Sequence, residues 1–296
     1  MSTPNNQTTP HESLTITPDL LRDWALPEPG TSKYGRGQLI VVGGALRSPG
    51  AAMLAGIAAL RVGAGRLTLA VAGSVASHVA VAVPECGIVP LAETVDGHVF
   101  GSGLREAADD LTAADTVLLG PGLDDAEETE TMLRLLPGLI SDDSVVVLDA
   151  FALGVAGDVE ELGTLSGRLV MTPNTSEAER LLGEEPGEDD TATALAIAER
   201  YGAVVVFQAI VAAPDGRTWR VGTGSGGLGT SGSGDVLAGA IAGLCARGAD
   251  PAQAAVWAAH AHHSAGDRLA VRVGPLGYLA RELLDELPRV FVEIGA

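Results

Sequence analysis

The chain has 296 residues, 46% of them hydrophobic and only 3% aromatic, with a mean hydropathy of +0.27, enough apolar material for a large α/β core. Eighteen basic against 38 acidic residues give a net charge of −20, which repels nucleic-acid phosphates and argues against a nucleic-acid partner. No apolar run approaches the ~18 residues of a membrane span, and Cys86 and Cys245 stand alone with neither zinc nor disulfide spacing, so a reduced, cytoplasmic protein with no membrane partner is expected.

Residues 1–18 are rich in Ser, Thr, Pro and Asn and lack the basic start and apolar stretch of a secretory signal. They are expected to form a flexible N-terminal arm ahead of a single domain over 19–296. Gln38 to Gly43 is a short apolar run closed by glycine, which predicts a buried strand. Apolar residues at near-helical spacing from Gly50 to Val62 and a second strand from Arg66 to Val71 complete a βαβ unit, hence a parallel pair. The alternation continues with strands over Thr116–Leu119, Ser144–Leu148, Leu169–Met171 and Ala203–Phe207 and helices over Ala126–Leu136 and Ser176–Leu182. Val211–Ala213 and Trp219–Val221 flank the turn Pro214-Asp215-Gly216 and predict a hairpin. Helices follow over Asp235–Arg247, Pro251–Leu269 and Leu276–Leu287. Such a pattern predicts a three-layer α/β/α fold, a doubly wound and mostly parallel sheet flanked by helices. Ligands of that fold sit beyond the carboxyl ends of the strands, here Gly43-Gly44, Gly120-Pro121-Gly122, Asp149 and Thr172-Pro173-Asn174.

The most informative stretch runs from Gly222 to Asp235 and is mostly Gly, Ser and Thr. Val236, Leu237, Ala240, Ile241 and Leu244 share one helical face, so a helix begins near Ser233 or Gly234. Glycines before a helix allow backbone N–H groups to converge, and the positive helix end adds to them, making an anion hole of Gly232, Ser233 and Gly234 without a lysine. Asp235 then has two readings: an N-terminal helix residue that complements the dipole, or a general base acting on a hydroxyl beside a bound phosphate. A cap needs no glycine run and a phosphate cradle does, so the base is favoured. Gly224, Gly226 and Gly229 satisfy G-x-G-x-x-G, but they follow a late hairpin rather than the first strand, which argues against a dinucleotide-binding dehydrogenase.

Gly232-Ser-Gly-Asp235 resembles the G-x-G-D signature of ribokinase-like enzymes. Further stretches resemble one branch of that group, the ADP-dependent NAD(P)H-hydrate dehydratases: Lys33-Tyr-Gly-Arg-Gly37 leading into Ile40 to Gly44, Gly50-Ala-Ala, Ala59 to Gly65, Leu119 to Leu123, Leu148 to Leu153, Met171 to Glu177, and Ala265-Gly-Asp267. In order and spacing they cover Lys33 to Pro288. The resemblance implies a ribokinase-like domain that repairs the S form of hydrated NADH or NADPH, using ADP as phosphoryl donor and co-substrate with Mg2+ assisting. By matching positions it implies Asp235 as the base, and Ala51, Gly122, Asn174 and Asp235 facing the hydrated nucleotide. Gln208, Ala209, Ser233 and Gly234 would face the adenine nucleotide; no metal ligand is assigned. Three positions depart from the family: Asn174 stands for a histidine, Phe151 for an aspartate, and Gln208-Ala209 for Lys-Gly ahead of a hairpin that looks shortened. Arg217 or Arg220 is a candidate to replace the missing charge.

His260, His262 and His263 cluster on one predicted helix, with His260 and His263 sharing a face. Ordinary packing is favoured over a metal site there, because no cysteine or acidic pair accompanies them. Asp267 is expected to brace structure, Asp149 to serve either a loop or the site, and Trp257 to lie in the core or at a subunit interface. Ala-rich helices and the N-terminal arm allow a homo-oligomer, a tetramer included. The alternative readings are a small-molecule kinase of the same fold, acting on a vitamin precursor, and a catalytically silent nucleotide-binding subunit.

Overall fold

The computed structural model describes residues 13–222, 224 and 226–295. In chain order the elements are β1 (Leu14–Ile16), α1 (Pro18–Asp23), β2 (Gln38–Val42), α2 (Pro49–Arg61), β3 (Arg66–Ala72), α3 (Gly73–Ala82), β4 (Cys86–Leu91), α4 (Ala108–Ala113), β5 (Thr116–Leu119) and α5 (Ala126–Leu135). They continue with β6 (Val145–Leu148), β7 (Leu169–Met171), α6 (Thr175–Leu182), α7 (Asp190–Tyr201), β8 (Ala203–Phe207), β9 (Ile210–Ala212), β10 (Thr218–Val221), α8 (Ser233–Ala246), α9 (Pro251–Arg272) and α10 (Ala280–Ile294).

One ten-stranded sheet has the order β1-β10-β9-β8-β7-β6-β5-β2-β3-β4. Only β9 runs against its neighbours. The central strands are buried on both faces, which is why they read as unbroken Val, Ile and Leu runs. From β2 the chain winds outward through β3 to β4; from β5 it winds the other way through β6 and β7 to β8. Right-handed crossovers then put α2 and α3 on one face and α5, α6 and α7 on the other. Helices α8 and α10 pack beside α2, and α9 packs on α8 and α10, which completes that layer. The winding reverses between β2 and β5, so a crevice opens at their carboxyl ends.

The small residues of α2 and α8 set how closely that layer approaches itself. A Cβ on Gly239 would sit 2.0 Å from the Ala55 carbonyl oxygen, and one on Gly243 would sit 2.6 Å from the Ala59 Cα. Backbone cannot yield as a side chain does, so Gly239→Ala is expected to push α8 off α2 and destabilise the fold by about 1–3 kcal/mol; a shifted urea midpoint at unchanged slope would report it.

Three expectations change. Leu14–Ile16, placed in the arm, pairs in parallel with Trp219–Val221 and closes the sheet edge. At three residues, with Leu14 and Thr15 exposed and Ile16 buried, the strand is too short to register as a period in the sequence. Residues 1–12, the rest of the arm, lie outside the described residues. The last helix starts at Ala280 rather than Leu276 and runs through Pro288 to Ile294. Pro288 reads as a stop, yet the apolar stripe Leu283, Leu287, Val290, Phe291 and Ile294 carries the helix onward because it is buried. Helix α3 and strand β4, to which the sequence reading gave no element, extend the sheet beyond β3. Trp257 is a core residue: it stacks on Phe291 at 5.7 Å and donates its indole N–H to the Trp24 carbonyl at 2.9 Å.

Candidate active site

The carboxyl ends of β2, β5, β6, β7 and β8 deliver the expected loops to one rim. Gly43-Gly44 and Gly120-Pro121-Gly122 are tied together: the Gly44 N–H donates to Pro121 O at 2.8 Å and the Ala45 N–H to Gly122 O at 2.9 Å. Gly122 has φ 76°, and a Cβ there would stand 2.3 Å from the Ser48 carbonyl oxygen. Only glycine closes this turn against the start of α2, where Ala51 lies. Leu54, one turn further along α2, reaches Gly232 at the start of α8, with 2.6 Å between its methyl and an ideal Cβ. Ala51, Gly122 and Asp235 therefore border the same crevice.

Asp149 lies near both Asp235 and Glu177. Asp149 ends β6, is buried, and accepts a hydrogen bond from Thr172 Oγ1 at 2.7 Å. Ala150 after it is one of two non-glycine residues at positive φ among the described residues, at 50°, a strain of the kind that turns often hold at sites. Burial pushes the Asp149 carboxyl up to about 6 despite the Thr172 hydroxyl. Glu177 goes up to about 7, through burial and then the charge of Asp149. Asp235 likewise rises to about 7, through burial first and Asp149 second. The Asp149 charge thus acts on both neighbours, and Asp235 sits in the range of a base for neutral solution.

Helix α8 starts at Ser233 as expected, with Gly232 at φ 88° before it and no side chain capping its N-terminus. The Ser233 N–H is occupied by the Thr230 carbonyl at 3.1 Å, and the Val236 N–H by that of Gly232 at 3.2 Å. Among the described residues the N–H groups of Gly232, Gly234 and Asp235 have no acceptor. This revises the expected anion hole: Ser233 takes part through its backbone position rather than as a free donor. Gly234 is exposed, and a Cβ there would meet nothing within 4 Å. Free amides and a half-buried carboxylate face open space at the positive end of a helix. Thr223 and Ser225 of the glycine-rich stretch lie outside the described residues. Asp267 braces that stretch, as expected, by accepting the Gly224 N–H at 3.0 Å.

Asn174 caps α6. Its Oδ1 accepts the Glu177 N–H at 3.0 Å, and Glu177 Oε2 accepts the Asn174 N–H at 2.8 Å. The cap leaves the Asn174 amide nitrogen exposed at the rim. Gln208 and Ala209 form a two-residue turn between β8 and β9, ahead of the expected β9–β10 hairpin. Gln208 holds φ 53° and its Nε2 donates to Thr175 Oγ1 at 3.2 Å, which joins this turn to the start of α6. Register separates the two candidate arginines: Arg220 pairs with Ile210 beside the β8–β9 turn, and Arg217 does not reach that end. Arg217 lies at the opposite end of the sheet, paired with Asp215 at 2.7 Å. Arg220 donates to Thr191 Oγ1 on α7 at 3.1 Å.

Glu177, a carboxyl near Asp149, carries no site role in the sequence reading, because the spacing Asn174-x-x-Glu177 reads as a helix cap. His260 and His263 bond within their own helix, to Ser264 and to the Ala259 carbonyl, and no group of three or more His, Cys, Asp or Glu among the described residues is placed to hold a metal ion. His262 is buried and touches Ser233, a tertiary contact that no local pattern announces.

A doubly wound sheet with a G-x-G-D helix start at its crevice is the architecture of the ribokinase-like proteins. A structure described as a ribokinase-like superfamily protein from Enterococcus faecalis superposes on 98% of this chain and 99% of its own at TM-score 0.81 and 20% identity, a likeness of fold. More closely, the family model described as NAD(P)H-hydrate dehydratase matches residues 39–289, and the chain belongs to that family. An ADP-dependent (S)-NAD(P)H-hydrate dehydratase from Xanthomonas campestris pv. campestris is 43% identical over 93% of this chain and 95% of its own length. The crystal structure of an ADP/ATP-dependent NAD(P)H-hydrate dehydratase from Bacillus subtilis, co-crystallised with ATP/Mg2+, matches 95% of this chain and 99% of its own at TM-score 0.77 and 27% identity.

Proposed function

We propose that this protein repairs hydrated NADH or NADPH by ADP-driven dehydration of the S form. The observation that carries the reading is the start of α8: an Asp235 carboxylate raised to about 7 beside the free N–H groups of Gly234 and its own residue, open to the crevice. Asp235 takes the proton from the ring hydroxyl. The hydroxyl oxygen then bonds to the terminal phosphorus of ADP as the bond from that phosphorus to AMP breaks. The Gly232, Gly234 and Asp235 amides stabilise the charge on the transferring group. Phosphate is a better leaving group than hydroxide: the carbon–oxygen bond breaks with help from the ring nitrogen's lone pair, and the neighbouring carbon loses a proton. The products are the restored cofactor, AMP and inorganic phosphate.

The residues fit a magnesium ion that is held largely by the nucleotide. Asp149 and Glu177 are close enough for one to raise the other, a repulsion that a cation would relieve. Magnesium commonly binds through one or two carboxylates plus phosphate oxygens and water. Glu177 is the carboxylate that would hold it, since Asp149 is buried against Thr172. When bound, the ion would neutralise phosphate charge.

Purified protein given ADP, magnesium and hydrated NADPH should restore the absorbance of reduced nicotinamide. No recovery with either ADP or ATP would reject the reading, and a stable phosphorylated product would favour a small-molecule kinase. Glutamine at position 208, where the family resemblance implies lysine, makes a further prediction. Gln208→Lys should lower KM for ADP by roughly threefold to tenfold at low ionic strength, with the gain fading as salt is added.

A further inference from the structure

The peptide bond between Ser233 and Gly234 joins two functions in one plane. Its N–H is a free donor at the anion site. Its carbonyl, on the opposite side of the planar unit, points back into the protein. There it meets His262 of α9: Nε2 lies 3.0 Å from Ser233 O and 3.0 Å from Ser233 Oγ. A carbonyl oxygen only accepts, so Nε2 carries the proton and donates. Nδ1 is buried with no hydrogen-bond partner among the described residues, which suits a bare nitrogen and not an N–H. Burial also pushes the imidazole down to about 3, so the ring stays neutral through the range in which the enzyme would work.

We propose that His262 is a positioning residue for phosphoryl transfer: its Nε2–H fixes and polarises the Ser233–Gly234 peptide, and so aims the Gly234 N–H at the transferring phosphoryl group. Hydrogen bonds in series strengthen one another in a low dielectric, so a donor on the carbonyl makes the N–H across the peptide a better donor. The benefit grows as charge develops on the phosphoryl oxygens, so it appears in kcat more than in substrate affinity. Nothing else among the described residues is positioned to supply this contact from α9: His260 bonds within its own helix to Ser264, and His263 to the Ala259 carbonyl.

This inference rests on the dehydratase reading, and the test separates the two. His262→Gln keeps an N–H at about the reach of Nε2; His262→Asn keeps polarity but falls short of the carbonyl. Turnover with ADP, magnesium and hydrated NADPH should fall roughly tenfold in kcat for His262→Asn, with KM for ADP within about twofold, and stay within about threefold of wild type for His262→Gln. Equal losses in both variants, an unchanged kcat in His262→Asn, or a change confined to KM would each overturn the proposal. If the wild-type protein itself shows no turnover, the dehydratase reading fails, and calorimetry with inorganic phosphate decides the role of His262. Weaker binding by His262→Asn than by His262→Gln would support it, and equal binding would overturn it.

Discussion

Asp235→Asn is expected to lower kcat by about 10²–10⁴-fold, the range of a lost general base, while the protein stays folded. The carboxylate is nearly isosteric with the amide, and the Asp235 side chain makes no hydrogen bond among the described residues that the fold would miss. The pH profile carries the same signature. With Asp235 raised to about 7, the wild-type kcat/KM should fall as pH drops below 7 and the base becomes protonated. The residual activity of the variant should lose that limb. Stability moves the other way. A carboxyl whose folded pKa lies above its unfolded value penalises the fold once ionised. That penalty is absent below the unfolded pKa near 4 and complete above the folded value near 7. Asp235→Asn should therefore melt higher than wild type above pH 7, with the difference closing as pH falls toward 4. A variant with near-normal turnover would remove Asp235 from the mechanism.

Gly234→Ala is the second large effect, and it separates folding from function. Its φ is not among the positive ones, and the added methyl would meet no protein atom within 4 Å. Glycine inside a helix costs about 0.5–1 kcal/mol relative to alanine, so the variant should be slightly more stable. The methyl enters the space in which the account puts the transferring phosphoryl group. Losing the approach to that donor should lower kcat/KM by about 10²-fold, comparable to removing one oxyanion donor. Thermal melts and steady-state kinetics on one preparation would show the two quantities moving in opposite directions. Unchanged turnover would mean that the phosphate sits elsewhere.

Much of this was legible without coordinates because the informative features are local. Strands that stop at glycine, a glycine run before an apolar helix face, and Asp235 at its start follow from periodicity and backbone freedom. The family resemblance added the order of the motifs, and the match over residues 39–289 agrees with it. What stayed hidden is tertiary. Glu177 looks like half of a capping box until the sheet brings Asp149 beside it. Ser233 looks like a donor until Thr230 takes its N–H. His262 lies 29 residues from Ser233, and only the packing of α8 on α9 joins them. Arg217 seemed a candidate for the lost lysine charge, but strand direction places it at the far end of the sheet.

The fate of one oxygen atom tests the central claim most directly. The substrate is prepared with oxygen-18 in the ring hydroxyl of the hydrated nucleotide and turned over with unlabelled ADP. If the hydroxyl is phosphorylated before it leaves, the label ends in inorganic phosphate, one atom for each cofactor restored. Label recovered in water, with unlabelled phosphate, would mean that ADP hydrolysis and dehydration are separate events and would contradict the account.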